Sequence, residues 1–110
     1  MYQYNAFVTS VYDGDTITCD IDLGFYTSLK KQKFRLQGLD APELRGAERT
    51  QGLTSRDKLR ELILGKEVII HSLRDRKEKY GRWLAIVYTM DGINVNEYLI
   101  KHGFAVRVYE

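Results

Sequence analysis

The sequence predicts a mainly β chain of the α+β class, a five-stranded, OB-fold-like Greek-key barrel carrying two helices. Three observations lead there. Apolar and polar residues alternate with period two through most of the N-terminal third, the mark of half-buried strands. Two short stretches with helical spacing interrupt an otherwise β-rich remainder. The 110 residues suit one core, and residues 1–110 are expected to form one domain.

The elements follow in order. Strands are expected over 3–12, 15–22 and 25–38, the first two joined at Asp13-Gly14, a strong short-range hairpin signal. The basic stretch from Ser28 to Lys33 falls at the tip or flank of the second hairpin. A helix is expected over 49–64, with Leu59, Leu62 and Ile63 on one face and Gly65 placed to end it. Strands over 68–71 and 83–89 follow. In the second of these Trp83, Ala85 and Val87 alternate with Leu84, Ile86 and Tyr88, so both faces are apolar, as a central strand requires. Asp91-Gly92 is a turn. Asn94 with Glu97 three residues on resembles a capping box, opening a short helix that ends at Gly103. Residues 104–109 form a last extended segment. The order is β-β-β-α-β-β-α with a short β tail.

Composition excludes several classes. Apolar content of 44% and charged content of 29% are those of an ordinary globular chain, not a disordered or fibrous one. Cys19 is the single cysteine, so no internal disulfide can form; between Ile17 and Ile21 it reads as a small core residue. No apolar run approaches the ~18 residues a membrane span needs. The segment Met1-Tyr2-Gln3-Tyr4-Asn5 has no basic or apolar leader character, so a cytoplasmic protein is expected if Met1 is the native start, and a secreted one if a leader precedes it.

The net charge of +2 is unevenly spread. Residues 1–27 hold Asp13, Asp15, Asp20 and Asp22 and no Lys or Arg. Lys30, Lys31, Lys33 and Arg35 then follow without an acid, and Arg74, Arg76, Lys77, Lys79 and Arg82 form a second basic stretch. An acidic segment followed by two basic ones suits a cation site beside a surface for a polyanion, although solvated hairpin tips have the same signature.

Asp15 begins a strand after a turn. Asp40 follows a strand, and Asp40-Ala41-Pro42-Glu43 sets a second acid three residues on, in a proline-stiffened segment. Oxygen ligands from two loops, with main-chain carbonyls and water, are what Ca²⁺ or Mg²⁺ requires. The same acids also suit turn formation and helix capping. Arg35 points away from its apolar neighbours Phe34 and Leu36. Arg82 follows Tyr80-Gly81 at the mouth of a strand, and the guanidinium fork matches a phosphate. Asp15, Asp40, Glu43, Arg35 and Arg82 together supply what phosphodiester cleavage demands: a cation, donors for the developing charge, and a group for the water.

Four segments, in the order Val11-Tyr12-Asp13-Gly14-Asp15-Thr16, Phe34-Arg35-Leu36, Asp40-Ala41-Pro42-Glu43 and Lys79-Tyr80-Gly81-Arg82, closely resemble the signatures of the staphylococcal nuclease (thermonuclease) family. The resemblance runs through Asn94-Val95-Asn96-Glu97 to Gly103-Phe104-Ala105 and so covers essentially the whole chain. It implies an OB-fold, Ca²⁺-dependent endonuclease that cleaves DNA and RNA, preferably single-stranded or frayed, and leaves 3′-phosphates; Mg²⁺ or Mn²⁺ could replace Ca²⁺. Carried over, Asp15, Asp40 and the Ala41 carbonyl hold the metal, with Asp13 beside it. Glu43 orients or deprotonates the attacking water, Arg35 and Arg82 grip the scissile phosphate, and Lys79, Tyr80 and Tyr109 contact the nucleotide. The resemblance breaks in two places. The chain ends at Glu110, where secreted family members continue into a third helix, and the twenty positions from Asp15 to Arg35 imply an enlarged basic hairpin around Lys30–Lys33 that touches the substrate backbone.

His71, His102 and Trp83 are expected to be structural, as are most of the eight tyrosines apart from Tyr80 and Tyr109. A monomer with no protein partner and no membrane association is expected. The rival readings are a non-catalytic OB-fold module that binds nucleic acid without cutting it and, less favoured by the basic segments, an interaction domain with no nucleic-acid partner.

Overall fold

The computed structural model describes residues 2–77 and 79–109, with backbone alone for 74–76. Strands β1 (Tyr2–Asp13), β2 (Thr16–Gly24) and β3 (Thr27–Leu36) are followed by a two-residue β4 (Leu39–Asp40). A 3₁₀ turn (Gly46–Glu48) leads into α1 (Arg49–Ile63). Then come β5 (Glu67–Lys77), β6 (Trp83–Thr89), α2 (Val95–Lys101) and β7 (Val106–Arg107). Five strands close a barrel in the order β1-β2-β3-β6-β5, and β4 pairs with β7 outside it. This is the expected mainly β, OB-like architecture with two helices.

Closure needs curvature, and bulges supply it. In β1 the register to β2 slips between Val8 and Ser10, so the core positions run Ala6, Val8, Val11 rather than in strict alternation. Tyr2–Phe7 of β1 pair with β5 and Asn5–Asp13 with β2, which makes it the strand shared by both flanks. The closing seam is the only parallel one among the described strands, Phe34 opposite Trp83 through Leu36 opposite Ala85. Ile17, Cys19, Leu36, Ile70, Ala85 and Val87 fill the interior, and Leu59 and Ile63 of α1 cap it, all fully buried. Gly65 ends α1 at φ +70° as the sequence requires.

Two boundaries and one burial assignment differ from expectation. β5 runs six residues past His71, because the polar stretch beyond it lies in a hairpin arm and carries no core-facing alternation. The second hairpin turns at Phe25-Tyr26, so β3 begins at Thr27 rather than at 25, while the basic residues stand on the flank, one of the two expected positions. The tyrosines are not barrel fillers: Tyr2, Tyr12, Tyr26, Tyr80 and Tyr109 are exposed and Tyr4, Tyr88 and Tyr98 are half-buried, since a barrel this narrow is filled by aliphatic side chains.

Asn94 caps α2 by accepting the Glu97 amide at 3.1 Å, but Glu97 does not return the bond; its carboxylate takes the Arg107 fork at 2.6 and 3.1 Å. Asn96, buried on α2, accepts from the Val87 amide and donates to the carbonyls of Gln37 and Ala85, tying the helix to the seam. Among the described residues no helix is long and apolar enough to cross a membrane.

Candidate active site

The β1–β2 turn, the end of β3, the β4–Pro42 segment and the start of β6 converge on one cleft of about 500 Å³. Its walls carry Asp13, Asp15, Arg35, Asp40, Ala41, Glu43 and Arg82. Asp15, Arg35, Asp40, Glu43 and Arg82 are therefore brought together from positions up to 67 residues apart in the sequence.

Asp15 sits at the centre and is 6% exposed. Its Oδ2 accepts the Ala41 amide at 3.0 Å and faces Arg35 Nη1 at 3.0 Å, while Oδ1 accepts the Thr16 hydroxyl at 3.1 Å. Arg35 also donates to the Leu39 carbonyl at 3.1 Å and pairs with Asp40. It reaches them because its register partner on β2 is Thr16, the residue next to Asp15. Arg82 Nη1 donates to Thr16 Oγ1 at 3.1 Å, and its guanidinium lies 5.4 Å from the centre of the Tyr80 ring. Thr16 thereby links the acid to the second arginine.

The electrostatics are those of crowded acids. Asp13 is pushed up to about 6, first by burial and then by the Asp15 carboxylate beside it, so of the two it is Asp13 that takes up a proton first as the pH falls. Burial acts to raise Asp15 as well, but its bonds from Asp13 and the Ala41 amide and the Arg35 charge hold it below the usual carboxylate range. Breaking the Arg35–Asp15 pair from one side would strand a charge in a water-poor site.

Two glycines shape the cleft through contacts that no local sequence pattern displays. A Cβ on Gly14 would stand 2.6 Å from the Ala41 Cβ and 2.9 Å from the Ser55 Cβ. One on Gly52 would stand 2.2 Å from the Glu43 carbonyl oxygen. Both glycines thus let α1 and the first turn close on the Ala41–Glu43 segment. Ser55, buried on the same helix face, donates to the Phe104 carbonyl at 2.6 Å and fixes the chain's exit over the cleft. For Gly52 the pattern signals only that some contact exists: a glycine inside a helical pattern loses about 1 kcal/mol against alanine and so announces a packing reason.

The other expected residues fall less centrally. Glu43 is exposed on the rim, and Lys79 lies 5.1 Å from the Tyr80 ring beside the cleft. Tyr109 borders a separate depression with Gly38 and Arg107. His71 and His102 stack on Tyr88 and Tyr98 at 4.5 and 4.2 Å, away from the cleft, as structural residues do. Trp83 packs against the core and donates to Gln32 at 3.1 Å.

Among the described residues no three His, Cys, Asp or Glu side chains form a ready cage. Asp15, Asp40 and main-chain carbonyls nevertheless offer only hard oxygens to the cleft, with the Arg35 fork pairing with both carboxylates. That set fits an open shell for a hard divalent cation, completed by water.

Comparison with known proteins places the chain among nuclease-related sequences. The family described as Staphylococcal nuclease homologue matches residues 33–110. An uncharacterized endonuclease of Escherichia coli O157:H7 is 37% identical over 103 residues, covering 94% of this chain and 60% of its own length. Endonuclease YncB of Bacillus subtilis is 34% identical over 109 residues, covering 96% of this chain and 48% of its own. Endonuclease YhcR of the same organism is 32% identical over 112 residues, covering 94% and 9%. The chain thus spans 60% of the E. coli protein and less of the other two.

Proposed function

The chain belongs to the staphylococcal nuclease homologue family, and from that premise we propose that it is a Ca²⁺-dependent endonuclease hydrolysing DNA or RNA, preferably single-stranded, to 3′-phosphate products. The observation that carries the reading is the convergence of Asp15, Asp40, Glu43, Arg35 and Arg82 on one cleft. A non-cutting binder has no use for that set.

Asp15, Asp40 and the Ala41 carbonyl would hold the cation. When bound it neutralises phosphate charge and favours attack by water. Arg35 and Arg82 sit on either side of Asp15 and Thr16, so their forks can close on a single phosphate and stabilise the charge that develops on its oxygens. Tyr80 stacks on Arg82 and narrows that fork's freedom to turn. Glu43, on the rim and without a hydrogen-bond or ion-pair partner among the described residues, is available to orient or deprotonate the water. Lys79 flanks the path of the strand. The protein is proposed to act as a monomer.

Digestion of a single-stranded oligonucleotide in Ca²⁺, Mg²⁺ and EDTA tests the reading. We expect cleavage with Ca²⁺ and none with EDTA, and products that prime a polymerase only after dephosphorylation. Equal cleavage in EDTA, or none under any condition, would overturn it.

A further inference from the structure

The β2–β3 ladder has a second unusual end. Its tip is a two-residue turn between paired Gly24 and Thr27, with Phe25 at φ 54° and Tyr26 at φ 60°. Such a turn requires the left-handed region at both central residues and is normally built from Asn and Gly. Bulky residues there are strained, and strain of this kind persists where it serves a purpose. Both rings are wholly in solvent, at 99% and 111% relative exposure, with no ring contact among the described residues.

The ladder leading back from the tip is basic. Lys33 lies two residues from Arg35 on β3, hence on the same face of the strand. The acids opposite are locally engaged: Asp20 takes Lys30 at 3.7 Å and the Lys31 amide at 2.9 Å, and Asp22 takes the Gly24 amide at 2.7 Å. Lys31 and Lys33 make no ion pair among the described residues. Unspent cations next to Arg35 and bare aromatic rings beyond them are the pattern of a surface for single-stranded nucleic acid, where phosphates meet Lys and bases stack on rings.

We propose that this arm is a second contact site for the substrate strand, with Lys33 taking a phosphate next to the cleft and Phe25 and Tyr26 stacking on unpaired bases further along. The inference rests on the nuclease reading for its polarity, not for its binding. From Thr16 to Gly24 the strand covers at most about 26 Å at 3.3 Å per residue. That is about eight nucleotides at the 3.4 Å stacked spacing, and fewer when the strand is stretched. Short substrates therefore cannot reach the tip while one end occupies the cleft.

The test is fluorescence anisotropy with labelled single strands of about 4 and about 20 nucleotides, in EDTA so that nothing is cut. Phe25→Asn/Tyr26→Gly replaces the rings by the residues the turn prefers, so lost binding cannot be lost folding. We expect roughly tenfold or more weaker binding of the long strand, unchanged binding of the short one, and full affinity in Tyr26→Phe. Lys33→Ala should lower the salt slope of long-strand binding by about 0.7. Unchanged long-strand affinity in the double variant overturns the proposal, as does an equal loss for both lengths. A tip that instead changes the oligomeric state on a sizing column, with binding intact, is a protein contact and also overturns it. Absence of cleavage with Ca²⁺ leaves these binding results standing, so the two readings fail separately.

Discussion

The two ends of the β2–β3 ladder break opposite rules. At the Thr16–Arg35 end, charged side chains are drawn out of water and hold one another. At the Gly24–Thr27 end, aromatic side chains are pushed into water on a backbone they dislike. Between them Ile17, Cys19 and Ile21 obey the ordinary alternation and simply fill the core. Stability explains the middle. Both ends run against it, and the two proposed contacts with a nucleic-acid strand fall on those ends.

The contrast can be broken in several ways. Arg35→Ala should have the largest effect, a loss of about 10²–10³ in turnover that is the same for short and long substrates, measured by initial rates on oligonucleotides of both lengths. A drop confined to long substrates would move Arg35 from the chemistry to the strand path. Gly52→Ala should come next: a methyl 2.2 Å from the Glu43 carbonyl must displace that segment, so stability should fall by about 1–3 kcal/mol in chemical denaturation and turnover should fall with it. Phe25→Asn/Tyr26→Gly should move the other way and gain about 1 kcal/mol or more, since two side chains leave the left-handed region. A less stable double variant would mean that the rings pack on something. The smallest effect is a silence. Burial, reinforced by the Asp20 charge, pushes the Cys19 thiol up to about 12, so at pH 8 about one molecule in ten thousand carries the reactive thiolate. Native protein should resist thiol reagents there and react only on unfolding. Fast labelling would show that the middle of the ladder opens.

Much of this was legible in the sequence because it repeats with a period or obeys a local rule. The alternation around Cys19, the Leu59–Ile63 face, the Gly65 stop and the Asn94 cap all stand where those rules put them. The candidates Asp15, Arg35, Asp40, Glu43 and Arg82 could be singled out because together they suit one chemistry and stand in four short segments that resemble one family's signatures in order. Each alone reads equally as a turn, cap or surface residue. What stayed hidden depends on approach between distant segments. Gly14 and Gly52 matter for atoms they lack, facing neighbours 27 and 9 positions away. The buried bonds of Asn96 to the seam likewise have no local signature. Phe25-Tyr26 misled for a different reason: two β-forming residues in a β-rich run read as strand, and nothing in their chemistry says that the chain reverses there.

The parallel seam has a consequence in time. β3 and β6 meet only after about fifty intervening residues have been looped in, and such long-range pairing forms late when a chain folds. Arg35 lies on one lip of that seam and Arg82 just before the other. A chain still emerging from the ribosome, with β6 not yet made, carries the acids without their second guanidinium. The pairing of the two guanidinium groups across the cleft is therefore assembled only when that seam closes.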